Sequence, residues 1–417
     1  MMKLRNQNCL RLLLYCLMTF QLLTNAVAAT DTTTDVVKVG CLYPLIGPGG
    51  LYGRDSVAAI KIALDDLKNS TQYDYPTLEV LLGDTRSKSL RAVHIARGFI
   101  KDDNVDFLCG VVSSKIALEV TEVAKENEVF FIGTDHASPR LIDEMLHPYY
   151  FRVSNGTRQS MQAGAKYIKQ NYSHKPNLKI AFIGPDYDYG YQAWEDLRFF
   201  LKKEKVPFEI VGEYWPKLFE TDYSIYVHEL NASQPDIVVN GHWGQDFVTF
   251  IKQAKPLGLF DNANIMNFDA GGNYATLVAM GDDMPIGLVL SARHHVNWPE
   301  TEKNRHFVET FRERVGRYPS YAAEGAYAGI IAIAESVRLA SNKNDKDQIR
   351  HNLENLVVNL PEDPAGFSSH MDPVSHQILQ VQAIGKTVLN NEYKPAKVLL
   401  GDWFIHFPSK QLPAVSN

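Results

Sequence analysis

Val105-Asp106-Phe107-Leu108-Cys109-Gly110-Val111-Val112-Ser113-Ser114, with the residues that follow to Gly133, decides the fold. An apolar strand pattern over 105–112 gives way to Ser113-Ser114, then to helix-period spacing over 116–127, then to a second apolar run at 129–132. Strand, helix and strand in one short stretch is the unit of a parallel sheet, because parallel neighbours need a crossover and not a hairpin. The serine pair stands where that helix begins, and its hydroxyl and backbone N–H groups are suited either to capping the first turn or to receiving a carboxylate.

The same alternation extends in both directions. Upstream, strands near 36–43 and 78–82 alternate with helices near 52–68 and 89–101. Downstream, strands near 179–183, 208–213, 237–240 and 265–267 alternate with helices near 189–203, 223–231 and 245–257. Extended runs at 148–154 and 286–291 carry no helix period and read as crossover strands. Three helical segments then lead to about residue 356, and short strands near 377–384 and 397–400 close the chain. The expectation is an α/β protein of two doubly wound parallel-sheet lobes, one from 31–152 with 292–371 and the other from 153–291 with 372–405, followed by a tail at 406–417.

Before the first strand lies an export signal. Lys3, Arg5 and Arg11 give a positive start, 12–23 is apolar but too short to span a bilayer, and Ala26-Val27-Ala28-Ala29 offers small residues for cleavage near Ala28 or Ala29. Cys16 lies inside the apolar run behind the bulky Tyr15, which argues against a lipid anchor. The net charge of −6 and the lack of any basic cluster beyond Lys202-Lys203 exclude a nucleic-acid surface. No later apolar stretch is long enough to cross a membrane.

Cys41 and Cys109 are the two cysteines beyond the signal, both in apolar strand patterns. The expectation is two free buried thiols, since adjacent sheet strands rarely offer disulfide geometry. No zinc spacing is present, and His294-His295 read as surface or rim histidines.

Ligands of open parallel sheets sit beyond the carboxyl ends of the strands. Five loops occupy such ends: Ser113-Ser114, Gly133-Thr134-Asp135-His136-Ala137, Asp186-Tyr187-Asp188-Tyr189-Gly190, Asn240-Gly241-His242-Trp243-Gly244 and Asn267-Phe268-Asp269-Ala270-Gly271-Gly272. Aromatic rings in glycine-containing strand ends suit ligand walls.

At these residues the chain resembles the type I periplasmic binding proteins, in the leucine/isoleucine/valine-binding branch that serves ABC transporters. The likeness runs through nearly the whole mature chain: Val37-Lys38-Val39-Gly40, Leu45-Ile46-Gly47-Pro48 to Tyr52-Gly53, Gly110 to Ser114, Tyr189-Gly190, Ile251-Lys252-Gln253-Ala254 with Gly258-Leu259, and Pro319-Ser320-Tyr321 with Tyr327. It implies two lobes joined by three crossovers that close by hinge bending on a small ligand. It also implies that Ser114 holds a ligand carboxylate, that Asp269 pairs with a ligand ammonium, and that Trp243 and Tyr189 form aromatic walls. The candidate set is Tyr52, Ser113, Ser114, Asp135, His136, Ala137, Tyr187, Tyr189, Trp243 and Asp269. Ala137 stands where the family usually has a ligand-binding Thr, and Asp135-His136 intrude beside it. Two acids facing one cleft favour an amine-bearing ligand, whereas Trp243 and Tyr187 favour a flat or aromatic one.

A dinucleotide site fails on spacing, since Gly47 and Gly49 need a third glycine at 52, which is Tyr. No nucleophile elbow, phosphate loop or His-Glu-x-x-His is present, so no catalysis and no cofactor is expected. The expected protein is a monomeric periplasmic receptor that takes an amino acid, amide or aromatic acid and delivers it to an inner-membrane ABC permease. A sensory module reporting to a signalling partner is the alternative. Four Asn-x-Ser/Thr sequons, at Asn69, Asn155, Asn171 and Asn231, would matter in a glycosylating host.

Overall fold

A computed structural model describes residues 36–409, so the expected export signal, with Cys16, and the end of the tail lie outside the described residues. The chain begins with β1 (Val37–Tyr43), α1 (Gly50–Lys68), β2 (Leu78–Asp84), α2 (Ser89–Lys101), β3 (Phe107–Gly110), α3 (Ser114–Asn127), β4 (Phe130–Gly133) and β5 (Tyr150–Arg152). It continues through α4 (Thr157–Tyr172), β6 (Leu178–Ile183), α5 (Asp188–Lys203), β7 (Phe208–Tyr214), α6 (Ser224–Ser233), β8 (Ile237–Asn240), α7 (Gly244–Ala254), α8 (Leu259–Asn262), β9 (Asn264–Asn267), α9 (Tyr274–Met280) and β10 (Val289–Ser291). It ends with α10 (Glu302–Val315), α11 (Tyr321–Arg338), α12 (Lys346–Glu354), β11 (Val357–Val358), β12 (Ser369–Asp372), β13 (Gln377–Leu379), β14 (Gln382–Leu389) and β15 (Val398–His406).

Two sheets result, and each repeats one strand order. The first runs β11-β12-β13-β5-β4-β3-β1-β2 and the second β15-β14-β10-β9-β8-β6-β7, so in both the first strand of the group lies between its second and third. From β2 to β13, and from β7 to β10, neighbouring strands are parallel. Central strands such as β3, β4 and β8 are buried along their whole length, whereas the edge strands β2 and β7 expose residues to water. Near-continuous apolar runs are what a parallel sheet covered by helices on both faces requires.

The chain passes between the sheets after β5, after β10 and between β13 and β14. Because β13 pairs with β5, the last crossing falls at about residue 380, later than the expected change at 372. Buried amides tie the crossings together. Asn155 Nδ2 donates to Gln382 Oε1 at 2.9 Å, Gln382 Nε2 donates to Ser291 Oγ at 2.6 Å, and Gln377 Nε2 donates to the carbonyl of Ser154 at 2.8 Å. Asn155 is thereby a buried hinge residue and no glycan acceptor.

The thiols are not free. Cys41 and Cys109 stand directly opposite in paired β1 and β3 with their Cα atoms 4.4 Å apart, and they form a disulfide. In-register side chains of neighbouring strands share a face, and here the backbones approach closely enough for the bridge that adjacent strands usually disallow. His294 and His295 also depart from expectation: both are buried, with His294 Nε2 2.8 Å from Asn304 Oδ1 and His295 Nε2 3.3 Å from the carbonyl of Ala383.

Candidate functional site

The carboxyl ends of β1, β3 and β4 face those of β6, β8 and β9, where the strand order of each sheet reverses. That is where ligands of doubly wound sheets bind. In each half the helix after the first strand carries Tyr-Gly in its first turn, and the glycine is required for contact: a Cβ on Gly53 would stand 1.8 Å from the carbonyl oxygen of Pro44, and one on Gly190 would stand 2.1 Å from that of Pro185. The close approach seats α1 and α5 against the strand ends and brings Tyr52 and Tyr189 into the cleft.

At its centre is a residue absent from the expected set. Arg293, two positions past β10, donates from Nη1 to Asp135 Oδ1 and from Nη2 to Asp269 Oδ2, both at 2.6 Å. Its guanidinium lies 5.0 Å from the centre of the Tyr321 ring. One cation thus joins an acid beyond β4 to an acid beyond β9. Asp269 also accepts from Ser160 Oγ and from the Tyr189 hydroxyl, each at 2.7 Å, so both of its oxygens are engaged within the protein. Asp135 keeps Oδ2 buried and without a partner, and Arg293 Nε is likewise unpaired. Burial pushes the Asp135 carboxyl up to about 7, helped by the Asp269 charge and opposed by Arg293. Burial alone would lower the Arg293 guanidinium, but Asp269, Tyr321 and Asp135 together hold it well above its ordinary value.

Around this pair stand five rings. Tyr52 lies 5.8 Å from Trp243, edge to face, and 5.4 Å from Tyr321, while Tyr187 stacks at 5.9 Å on Tyr189. Trp243 Nε1 donates to the Tyr187 hydroxyl at 3.0 Å. Ser114 Oγ accepts from the backbone N–H groups of Ala137 and Ser138 at 3.2 Å each, which fixes the hydroxyl and leaves its proton for an acceptor in the cleft.

Of the ten expected residues, Ser114, Asp135, His136, Ala137, Tyr187, Tyr189 and Trp243 surround one small cavity of about 20 Å³, with Arg293 and Tyr321 completing it. Tyr52 packs behind Trp243, Asp269 lies behind Arg293, and Ser113 faces an outer cavity. His136 has both nitrogens occupied inside the first sheet: Nδ1 is 3.0 Å from the Val111 carbonyl and Nε2 is 2.8 Å from the Tyr150 hydroxyl. Burial lowers this imidazole to about 3, so it is a neutral structural group. Tyr321 belongs to the Pro319-Ser320-Tyr321 stretch of the family likeness, and Arg293 follows the end of β10 as the other site residues follow their strands, which is the sequence signal that marks it. Among the described residues no cluster of three or more His, Cys, Asp or Glu is placed to hold a metal, and no helix is long and apolar enough to cross a membrane.

Two mostly parallel sheets with repeated topology, three crossings and a polar cleft at the facing strand ends define a two-lobed solute-binding protein. A sequence profile described as periplasmic binding protein matches residues 36–387, and the chain belongs to that family, whose members bind solutes and are not enzymes. A Leu/Ile/Val-binding protein homolog 7 of Brucella melitensis is 25% identical over 352 residues, 81% of this chain and 85% of its own. An ABC transporter substrate-binding protein from Sphaerobacter thermophilus superimposes with a TM-score of 0.79 at 21% identity, covering 89% of this chain and 99% of that one. A solute-binding protein of an ABC transporter from Rhodopseudomonas palustris, solved with 3,4-dihydroxybenzoic acid, gives a TM-score of 0.78 at 21% identity, covering 90% and 98%. The fold is that of the type I periplasmic binding proteins.

Proposed function

We propose that this chain is the exported receptor of an ABC importer, that it captures a small aromatic carboxylate between its sheets by hinge closure, and that it presents the closed form to an inner-membrane permease. The observation that carries the ligand class is Arg293 held by both Asp135 and Asp269. An amino-acid ligand needs an acid free to pair with its ammonium, and here a guanidinium built into the chain occupies that place. What remains for a ligand is the Ser114 proton, the unpaired Arg293 Nε–H, the unpaired Asp135 Oδ2, which can donate once its carboxyl is protonated, and a wall of tyrosine and tryptophan rings, a set that suits a carboxylate on an aromatic body. The aromatic acid held by the Rhodopseudomonas palustris protein supports the same class.

A cavity of about 20 Å³ has room for roughly one water, so binding requires the two sheets to separate. The three crossings, bound to one another by buried amides, form the hinge about which this motion occurs. Export is supported by the leader sequence and by the Cys41–Cys109 disulfide, which belongs to an oxidising compartment. A thermal-shift screen of aromatic carboxylates against aliphatic amino acids tests the reading. Binding to the folded state stabilises by about 2.7 kcal/mol at a hundredfold excess over Kd, so aromatic acids should raise Tm and leucine should not.

A further inference from the structure

The small inner cavity is not the largest space between the sheets. Outside the hydrogen-bonded Trp243 and Tyr187, which with Val112 line both spaces, lies a second cavity of about 1020 Å³. The two differ in character. The chain as a whole is acidic, with a net charge of −6, yet the outer cavity is lined by Arg86, Lys88, Arg91 and Lys115 against only Glu119 and Asp186. Lys88 and Lys115 stand at the N-terminal ends of α2 and α3, and neither helix has a side-chain hydrogen bond from its cap residue. Among the described residues neither Lys88 nor Lys115 forms an ion pair, whereas Arg86 pairs with Asp84. The bank from the second sheet is aromatic: Phe219 is 39% exposed and lies edge-on to Trp243 at 6.0 Å.

The geometry points to this outer cavity as a second subsite, which holds the distal anionic group of an extended aromatic ligand whose inner carboxylate lies at Ser114 and Arg293. The inference rests on the aromatic-carboxylate reading of the cleft and deepens it: the ligand is an aromatic dianion and not a simple benzoate. Trp243 and Phe219 line the second-sheet bank of this cavity and accept the flat body when the sheets separate, while the cationic bank meets the far charge. A cavity of this volume matches the upper range of small-molecule sites, and a cationic wall in an acidic protein concentrates anions from solution.

Calorimetry with two matched probes tests it: biphenyl-4-carboxylate and biphenyl-4,4′-dicarboxylate, which differ only in the distal charge, with benzoate as the probe of the inner site. Wild type should bind the dicarboxylate about tenfold tighter than the monocarboxylate at low salt, with the advantage shrinking as salt is raised. Lys88→Gln combined with Lys115→Gln, two exposed changes, should remove most of that advantage and leave monocarboxylate and benzoate affinity unchanged. Equal affinity for the two biphenyl acids, or an advantage that survives the double substitution, overturns the outer subsite alone. Dicarboxylate binding without benzoate binding overturns the inner-site reading, and silence with all three acids overturns both.

Discussion

Arg293 Nη2 stands 2.6 Å from Asp269 Oδ2 in a site where both side chains are almost fully buried, and the same guanidinium reaches Asp135 at the same distance. A buried cation between two acids is tolerable only while all three are present, because removal of one member leaves uncompensated charge out of water. Arg293→Ala should therefore lose about 3–5 kcal/mol of folding stability. The triple change Arg293→Ala, Asp135→Asn, Asp269→Asn should recover part of the loss. Chemical denaturation decides it, and a single variant as stable as wild type would show that the buried triad does not contribute to folding stability.

The cleft should respond to pH through Asp135. Its folded value, about 7, lies above the ordinary carboxyl value of 3.8, so the stability it contributes is complete at low pH and is lost as pH rises through about 7. The same proton matters to binding, since a neutral Asp135 can donate from its unpaired Oδ2 to a ligand carboxylate while an ionised one repels it. Benzoate affinity should fall about tenfold or more between pH 6 and pH 8, and Asp135→Asn should flatten the profile. Titrations at the two pH values on both proteins test this, and an unchanged slope in the variant would contradict it.

The disulfide closes a loop with a sequence separation of 68. Replacing Cys41 and Cys109 by Ala should cost about 2–5 kcal/mol, and the loss should appear at equilibrium in urea. If the chain is exported and cleaved as proposed, it should show no free thiol when denatured without reductant. Two reactive thiols at Cys41 and Cys109 would refute the bridge.

Much of the fold was legible because burial on both faces of a parallel strand writes a continuous apolar run. β8 at Ile237–Asn240 and α2 at Ser89–Lys101 fall where the pattern put them. α4 was missed for a physical reason: its buried first turn carries Arg158, Gln159 and Ser160, which bond to Asp143, to the Ile378 carbonyl and to Asp269, so polar groups interrupt the apolar period where the helix begins. The cleft loops were found from their position after strands, but the pairing inside them was not. The family resemblance gave Asp269 a ligand ammonium as its partner, and the partner it has within the chain, Arg293, lies 24 residues away, beyond anything local spacing reports. Cys41 and Cys109 were misjudged for a related reason, since sequence gives neither strand register nor backbone separation.

Trp243 is half-buried, with one side on the inner cavity and the other on the outer. Trp243→Ala should weaken binding of an aromatic acid at least about tenfold while unfolding close to wild type, because its ring serves the ligand more than the core. A stability loss of about 3–5 kcal/mol with unchanged affinity would make it a core residue instead.

If the built-in guanidinium takes the place of a ligand ammonium, paired calorimetric titrations of benzoate and leucine into the wild-type protein at pH 6 will distinguish the two ligands. Benzoate should saturate one site per chain with micromolar or tighter Kd, about −8 kcal/mol or better, and leucine should give no binding heat. Saturable binding of leucine with benzoate silent would contradict this, because the Asp269 carboxylate would then have to leave Arg293 for an ammonium.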